Sequence, residues 1–415
     1  MGSKVPRKML GDYFTLQRGT TYKSALLGQP GPVLLGLASI ERNGGFRSES
    51  LKTYGGDSPS KLLVQPGEIY LSLKDVTQSA DLLGAVARLP SWQRAGRLTQ
   101  DTVKLEPRDT GVPLDYLYWL LRTPQYRDYC RAHATGTTNL GLSREDFLSF
   151  PAPEPDATQL AIVRALDALD DKIELNRRMN DTLEAIATAV FKSWFVDCDP
   201  VRAKSEGRNS GLATAIADLF PDSLTQSALG CIPTRWEMTT WGSLVTLEYG
   251  KSLNDYDGEN GMYPVYGTNG KIGTHSQPLC PYPGIIIGRK GAYRGVHYCA
   301  SPFYVIDTAF YVAPKVPLEL RWAYYDLLRL DLNNMDSGSA IPSTSRDDFY
   351  ALPVLFPSVE LQRAYANLLD PIWRRQEQNE ADARVLAAIR DTLLPKLISG
   401  KLRLPDARRI TGGQL

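Results

Sequence analysis

Two stretches of the chain place apolar residues at alternating intervals of four and three positions. The first runs from Ile162 to Trp194, and the second runs in the same register from Tyr365 to Leu397, 203 positions later. A repeat that averages 3.5 residues is typical of a coiled-coil seam. We therefore predict two long helices that pair with each other in antiparallel orientation. The alternative is that each helix packs only on the globular domain beside it.

The middle of each predicted seam is polar. Asn176 and Asn180 interrupt the first apolar run, and Gln376 and Asn379 interrupt the second. Amide side chains at seam positions can fix the register and orientation of paired helices. The alternative is that these amides are solvated where the helices separate. The predicted seam consists of Ile162, Leu166, Leu169, Ile173, Asn176, Asn180, Leu183, Val190, Leu369, Ile372, Gln376, Asn379, Leu386 and Leu393.

The repetition extends into the segments that precede the helices. Gly11 begins GDYFTLQRG and Gly242 begins GSLVTLEYG, while Ser143 begins SREDF and Ser345 begins SRDDF. Each serine is followed three positions later by an aspartate, a pattern that predicts a helix N-cap. The offset between the copies falls from 231 to 202 residues, so the first globular part has 29 more residues in its loops. A shared framework with different loops is expected of two domains that do one job on different targets.

Proline and glycine residues mark the domain boundaries. Pro151, Pro153 and Pro155 exclude a helix before Asp156, which is a suitable N-cap. Short apolar runs flanked by glycine and proline predict that strands dominate the second globular part. Pro371 should kink or interrupt the second long helix after its first three turns. The predicted segments are a first globular domain at 1–155, a long helix at 156–198, a connector at 199–232, a second globular domain at 233–357, a second long helix at 358–405 and a tail at 406–415.

The composition is that of a protein with several folded domains and no membrane span. A chain of 415 residues is too long for a single core, and no apolar run is long enough to cross a bilayer. The five scattered cysteines and the lack of a signal peptide lead us to expect a cytoplasmic protein. The net charge of +1 argues against indiscriminate coating of nucleic acid, but it allows basic residues to gather on one face.

Six segments, in this order and at these spacings, carry a family resemblance. They are QLAIVRALDALDDKIELNRRMNDTLEAIATAVFKSWF, VDCDPVRAKSEGR, LFPDSLTQSALGCIPTRWE, YPVYGTNGKIG, IIIGRKGAYRG and LLPKLISGKLRLP. With these segments the chain resembles the specificity subunit of type I restriction–modification systems over essentially its whole length.

The resemblance implies an α+β fold with a pseudo-two-fold internal repeat. Two mixed α/β target-recognition domains are joined by two long helices that form an antiparallel coiled coil. Each domain reads one half of an asymmetric bipartite target in double-stranded DNA, and the helices set the spacer and dock two modification subunits. The modification subunits bind S-adenosylmethionine and methylate adenine, and restriction subunits can join. The resemblance implies no cofactor on this chain.

Candidate DNA contacts lie in polar loops that carry basic, amide and aromatic side chains. Asn269 can pair with adenine, and Tyr266 could support a flipped base. Arg289 and Lys290 suit contacts to phosphate or guanine. For each residue the alternative is an ordinary solvated loop. The predicted contacts are Arg18, Thr20, Tyr22, Lys23, Lys74, Thr138 and Asn139 in the first domain, and Tyr266, Thr268, Asn269, Lys271, Arg289, Lys290 and Arg294 in the second.

Two other classes of function compete with DNA recognition. A self-contained methyltransferase would need an Asn-Pro-Pro-aromatic tetrapeptide and a glycine-rich cofactor loop, and the sequence has neither. A nuclease-like set of Asp156, Asp170 and Lys172 falls on the first long helix, where charges outside the seam are ordinarily solvated. A coiled-coil adaptor whose globular domains bind proteins is the remaining alternative.

A zinc site is a weaker hypothesis. His275, Cys280, His297 and Cys299 could in principle supply four ligands, but their spacing matches no common structural zinc pattern. We expect Cys280 and Cys299 to be small apolar residues in or near strands, and we predict no metal.

Overall fold

The computed structural model describes residues 8–49, 51–77, 79–137, 139–227, 230–254, 256, 261–291, 293–335 and 342–399. It divides into two compact units, which we call unit 1 (Met1–Arg177 with Glu380–Leu415) and unit 2 (Arg178–Asn379). The division passes through both long helices, so each unit combines one globular part with half of each helix. In the described part of the chain, no helix has the length and apolar character needed to cross a membrane.

Unit 1 is built on a four-stranded antiparallel sheet in the order β1-β8-β4-β6. A three-stranded sheet, β2-β7-β3, and the pair β5-β9 accompany it. The elements are α1 (Leu10–Tyr13), β1 (Phe14–Arg18), β2 (Val33–Leu35), β3 (Leu63–Val64), β4 (Ile69–Ser72), β5 (Lys74–Asp75), β6 (Val86–Arg88), β7 (Gly96–Leu98), β8 (Thr102–Pro107), α2 (Leu114–Leu120), α3 (Pro124–Ala132), β9 (Leu140–Gly141), α4 (Arg144–Leu148) and the start of α5 (Ala157–Phe191).

The central strand of unit 1 is buried on both faces. All four residues of β4 are buried. Ile69 and Leu71 belong to the core shared with the helices, and Tyr70 belongs to the core shared with the small sheet. Successive side chains of a strand point to opposite faces, so the two cores form on either side of one sheet. The sheet is therefore a fixed platform, and its strand ends position the loops.

Unit 2 repeats this platform. Its four-stranded sheet has the order β13-β19-β16-β17, and a three-stranded sheet β15-β14-β18 packs with it. The elements are a π turn (Lys192–Val196), α6 (Asp199–Ser205), α7 (Thr214–Ala217), β10 (Leu224–Ser227), β11 (Gly230–Pro233), β12 (Glu237–Thr240), α8 (Trp241–Leu244), β13 (Val245–Tyr249), β14 (Tyr263–Gly267), β15 (Gly270–His275), β16 (Gly284–Gly288), β17 (Val296–Cys299), β18 (Tyr304–Val305), β19 (Ala309–Pro314), α9 (Leu320–Leu328), α10 (Arg346–Ala351), β20 (Pro353–Phe356) and the start of α11 (Val359–Ser399).

The register of the two sheets also matches. Ser72 lies opposite Thr102 in unit 1, as Gly288 lies opposite Ala309 in unit 2. The repeated motifs of the sequence therefore correspond to a repeated structural framework. The strand order is non-sequential in both, because the last strand of the sheet inserts beside the first.

Segments of α5 and α11 contact one another inside each unit. In unit 1, Leu166 and Leu169 of α5 share a core with Leu393 of α11. In unit 2, the hydroxyl of Tyr365 donates to the carbonyl of Ala187 across 3.2 Å. These contacts disagree with the alternative in which each helix packs only on the domain beside it.

The polar part of the seam is hydrogen-bonded in unit 2. Asn180 donates to the carbonyl of Gln376 across 3.1 Å, and Gln376 donates back to the carbonyl of Asn180 across 3.2 Å. Asn379, which is 1% exposed, donates to the side-chain oxygen of Asn180 across 2.7 Å. In unit 1, Asn176 is likewise buried. Of the two interpretations of these amides, fixation of register agrees with the structure and solvation does not.

The predicted interruption at Pro371 is wrong. Helix α11 runs without a break from Val359 to Ser399. A proline inside a helix costs about 3 kcal/mol relative to alanine. Leu369 and Trp373, which flank Pro371, are both buried, and each fully buried apolar side chain contributes about 1.5–3 kcal/mol. The packing on either side of the proline therefore offsets its cost.

Candidate nucleic-acid interface

A basic cluster lies at one corner of the unit 1 sheet. Lys74 lies two residues after the end of β4, and its ammonium nitrogen is 3.2 Å from a carboxylate oxygen of Asp101. Arg18, at the end of β1, and Arg144, in the first turn of α4, line the same cleft of about 320 Å³. Three cations thus line the cleft that contains the Asp101 carboxylate. We call these four residues cluster 1.

Asn139 lies beside cluster 1. It lines an adjoining cleft of about 240 Å³ together with Lys74 and Asp101. The structure therefore brings together three of the contacts predicted for the first domain, Arg18, Lys74 and Asn139. Thr138 lies outside the described residues.

Arg144 is a member of cluster 1 that the sequence analysis missed. The hydroxyl of Ser143 accepts a hydrogen bond from the backbone N–H of Asp146, so the predicted N-cap is confirmed. This cap places Arg144 at the start of the helix, where its guanidinium donates to the carbonyl of Leu16 across 2.8 Å. The signal was available, because the repeated motif contains the arginine in both copies, as Arg144 and Arg346.

The other contacts predicted for the first domain form a separate group. Buried Arg97 donates to the hydroxyl of Thr20 across 3.0 Å, and its guanidinium lies 4.8 Å from the centre of the Tyr54 ring. The edge of the Tyr22 ring packs on Tyr54. Thr20, Tyr22 and Lys23 remain exposed, but they are anchored to the small sheet and do not line the cleft of cluster 1.

Unit 2 has a basic cluster at the same corner of its sheet. The ammonium of Lys290 lies 3.7 Å from a carboxylate oxygen of Asp307, and Arg289 donates to the backbone carbonyl of Asp307 across 3.0 Å. Arg346 opens α10 after the capping Ser345, as Arg144 opens α4. We call Arg289, Lys290, Asp307 and Arg346 cluster 2.

An exposed tyrosine joins the arginines of cluster 2. Tyr249 occupies the end of β13, the position that Arg18 occupies in β1. The guanidinium carbons of Arg289 and Arg346 lie 4.8 Å and 5.1 Å from the centre of its ring, within the range of cation–π attraction. A hydrogen bond with the hydroxyl of Tyr350 raises the pKa of Arg346, so this side chain remains a cation. The cluster therefore offers positive charge next to an aromatic surface.

The predicted contact through Arg294 disagrees with the structure. Arg294 is 4% exposed, and its guanidinium donates to the carbonyls of Leu332 and Asn333, each across 2.9 Å. A side chain in this position holds a loop of the domain and cannot reach a phosphate. Sequence pattern alone could not separate it from Arg289, because the loop that covers it lies 38 residues further along the chain.

Only part of the β14–β15 hairpin faces solvent. Asn269 and Lys271 are exposed near its turn. Tyr266 is half-buried with its ring edge against Phe303, and the hydroxyl of Thr268 is buried. Asn269 and Lys271 are therefore accessible to a ligand, whereas most of Tyr266 and Thr268 packs inside the domain.

The cysteines considered for zinc lie in an apolar environment. Cys280 and Cys299 are buried in a core with Ile286 and Phe303, and burial raises the pKa of the Cys280 thiol to about 12. Burial also lowers the pKa of His297. Among the described residues, no group of three or more His, Cys, Asp or Glu side chains is arranged to hold a metal ion.

Comparisons with known proteins agree with the resemblance seen in the sequence. No protein-family model matches the chain. It is 24% identical over 326 residues to the type I restriction enzyme MjaIX specificity subunit of Methanocaldococcus jannaschii, covering 72% of this chain and 71% of that protein. It is also 24% identical over 365 residues to the type I restriction enzyme HindI specificity subunit of Haemophilus influenzae, covering 72% and 79%.

A solved structure shows the same fold. The S subunit of a type I restriction–modification system from M. genitalium superposes with a TM-score of 0.54 at 18% identity, covering 96% of this chain and 98% of that one. The chain is thus similar in sequence to these two type I specificity subunits and shares the mixed α/β fold of the M. genitalium S subunit.

Proposed function

We propose that this chain is the non-catalytic DNA-recognition subunit of a type I restriction–modification enzyme, in which each unit reads one half of a bipartite target. The observation that carries the proposal is the duplicated framework. Both units have the same sheet order and register, the same serine-capped helix, and a basic cluster at the same corner. The similarity to named specificity subunits supports the same conclusion.

We further propose that α5 and α11 form an antiparallel coiled coil that sets the gap between the half-sites. The support comes from the contacts inside each unit, where apolar seam residues pack together and Asn180 exchanges hydrogen bonds with Gln376. A helix rises about 1.5 Å per residue, so the number of residues between the globular parts determines their separation. A pseudo-two-fold arrangement of the repeats follows from this design.

The proposed partners are double-stranded DNA, two modification subunits and, in the complete enzyme, restriction subunits. S-adenosylmethionine would be bound by the modification subunits and not by this chain. A net charge of +1 leaves few cations in excess on the chain as a whole. We expect the modification subunits to complete the positive surface around the DNA, since phosphate neutralisation dominates affinity.

Selection from random duplex DNA tests the proposal. The full-length chain, assembled with the modification subunits of its own system, should enrich two short half-sites separated by a gap of fixed length. A single continuous site would contradict two-part recognition. Absence of any enriched sequence would favour the adaptor hypothesis. Transfer of labelled methyl groups from S-adenosylmethionine to DNA by the chain alone would contradict the non-catalytic assignment.

A further inference from the structure

We propose that the pairs Lys74–Asp101 and Lys290–Asp307 are two copies of one clamp for a DNA backbone phosphate. In each pair the carboxylate holds the lysine in place until a DNA phosphate replaces it as the partner of the ammonium. The inference rests on the proposed DNA-recognition function and assigns a role to one surface of each unit. The clamp supplies affinity in both units and reads no bases.

The two lysines occupy equivalent backbone positions. Lys74 lies two residues after Ser72, which pairs with Thr102 at the start of β8. Lys290 lies two residues after Gly288, which pairs with Ala309 at the start of β19. The Lys74 backbone pairs with Gly141, and the Lys290 backbone pairs with Ser343, in each case two residues before the capping serine. The lysines are therefore equivalent, and each is paired with an aspartate that comes just before the adjacent strand, Asp101 one residue before β8 and Asp307 two residues before β19.

Hydrogen bonds next to the lysines show the same equivalence. The N–H of Leu142 donates to the carbonyl of Leu73 across 2.9 Å, and the N–H of Thr344 donates to the carbonyl of Arg289 across 2.8 Å. These bonds tie the segment before the serine-capped helix to the segment that carries the lysine. The clamp residues are thus fixed to the framework and not to the variable loops.

The charges around each pair favour an anion. Cluster 1 contains Arg18, Lys74 and Arg144 against Asp101, and one further carboxylate, that of the buried Asp75, lines the adjoining cleft. Cluster 2 likewise has three cations, Arg289, Lys290 and Arg346, against Asp307. A compact ammonium binds phosphate as a point charge, while the neighbouring arginines can donate two hydrogen bonds at once. An approaching phosphate therefore meets an excess of positive charge in either unit.

The internal ion pairs are weak enough to be exchanged. The side chains of Lys74 and Asp101 are 52% and 27% exposed, and those of Lys290 and Asp307 are 42% and 50% exposed. Ion pairs on a protein surface contribute about 0–1 kcal/mol. Release of the lysine to a phosphate therefore costs little. While no DNA is bound, the aspartate keeps the ammonium at the corner of the sheet and reduces its attraction for other anions.

Conservation of the feature between two otherwise different units indicates a phosphate and not a base. The loops around the sheets differ in length by 29 residues, and Tyr249 replaces Arg18 beside the second pair. Two domains that read different half-sites need different base contacts, whereas backbone contacts position the protein and carry no sequence information. The repeated pair fits the second kind of contact.

The test uses the full-length chain with the modification subunits of its system. Lys74→Ala, Lys290→Ala and their double variant remove the ammonium groups, and Asp101→Asn and Asp307→Asn remove the competing carboxylates. Lys8 and Glu154, an exposed ion pair outside both clusters, supply matched controls as Lys8→Ala and Glu154→Gln. Binding is measured against salt concentration on a selected duplex and on an unrelated duplex, and melting temperatures verify that every variant folds.

Each lysine substitution should weaken binding to both duplexes by a similar factor. It should reduce the slope of log affinity against log salt by about 0.9, the value expected for one phosphate contact. The selected bases should stay the same. Each aspartate substitution should tighten binding to the unrelated duplex, and the controls should leave the slope unchanged.

Three results would overturn the clamp. They are an unchanged salt slope in the lysine variants, a change in the bases they select, and weaker binding by the aspartate variants. If any of these results is obtained while the wild-type complex still selects a bipartite site, the clamp is wrong and the proposed function is unaffected. If the wild-type complex selects no DNA sequence, both the clamp and the proposed function are wrong.

Discussion

At the scale of single residues, position in the fold separates side chains that look equivalent in the sequence. Arg289 and Arg294 lie in one loop and were predicted to do the same job. The first stacks on an exposed tyrosine ring, and the second is buried against Leu332 and Asn333. The sequence indicated Arg18, Lys74 and Asn139 as candidates, because they are basic or amide residues in or near polar loops. It missed Arg144 and Arg346, since the serine beside them already had a structural explanation.

Asp170 is the residue whose removal should harm unit 1 most clearly. Arg122 and Arg390 each donate to it across 2.7 Å, and both arginine side chains are largely buried. Asp170→Asn leaves these two cations facing each other, and breaking a buried ion pair in this way costs about 3–5 kcal/mol. Urea unfolding of the full chain should show that loss. The control Asp128→Asn, which breaks an exposed pair with Arg131, should change stability by less than about 1 kcal/mol.

The effect of Asp170 should depend on pH in a defined direction. Burial alone would raise the pKa of this carboxyl, but Arg122 and Arg390 outweigh burial and lower the pKa below its usual value. The stabilisation is therefore fully present above the unfolded pKa of about 3.9 and is lost as the pH falls through the lower folded value. The stability gap between wild type and Asp170→Asn should be constant near neutral pH and close in strong acid. A gap that persists in strong acid would contradict the ion-pair explanation.

At the scale of elements, the long helices could be predicted closely and the sheets could not. Helix α5 begins at Ala157, one residue after the predicted start, because prolines, an N-cap residue and a sustained 3.5-residue period are all local properties of the sequence. The order β1-β8-β4-β6 depends on pairing between segments far apart in the chain, which no local pattern encodes. The error at Pro371 has the same origin, since burial of Leu369 and Trp373 is a property of the folded unit.

The amides of the seam should control the pairing of the helices in unit 2. Asn180→Leu removes the amide that donates to the carbonyl of Gln376 and the side-chain oxygen that accepts from Asn379. Loss of a hydrogen-bond partner by a buried polar group costs about 1–3 kcal/mol. The triple variant with Gln376→Leu and Asn379→Leu should recover much of that stability, because these three amides are then replaced together by apolar side chains. Urea unfolding of the wild type, the Asn180→Leu variant and the triple variant tests this prediction. If the amides contributed nothing to pairing, Asn180→Leu alone would stabilise the chain.

At the scale of the whole molecule, the proposed function requires two similar DNA-reading units whose separation is set by the long helices. Each unit contains the same platform, the same capped helix and the same basic corner. Under the proposed function, the loops that differ between the units would specify the different half-sites. The internal repeat could be recognised in the sequence from its motifs. The clusters could be found only in the fold, since their members come from four separate segments in unit 1 and three in unit 2.

Lengthening both helices tests this account most directly. A heptad of seam-compatible sequence is inserted between Arg177 and Arg178 and a second between Asn379 and Glu380, which preserves the 3.5-residue register. Seven residues add about 10 Å of helix, equivalent to about three base pairs of DNA. Selection from random duplex DNA with the assembled enzyme should return the same two half-sites with a gap about three base pairs longer. An unchanged gap would show that the helices do not set the spacing between the half-sites.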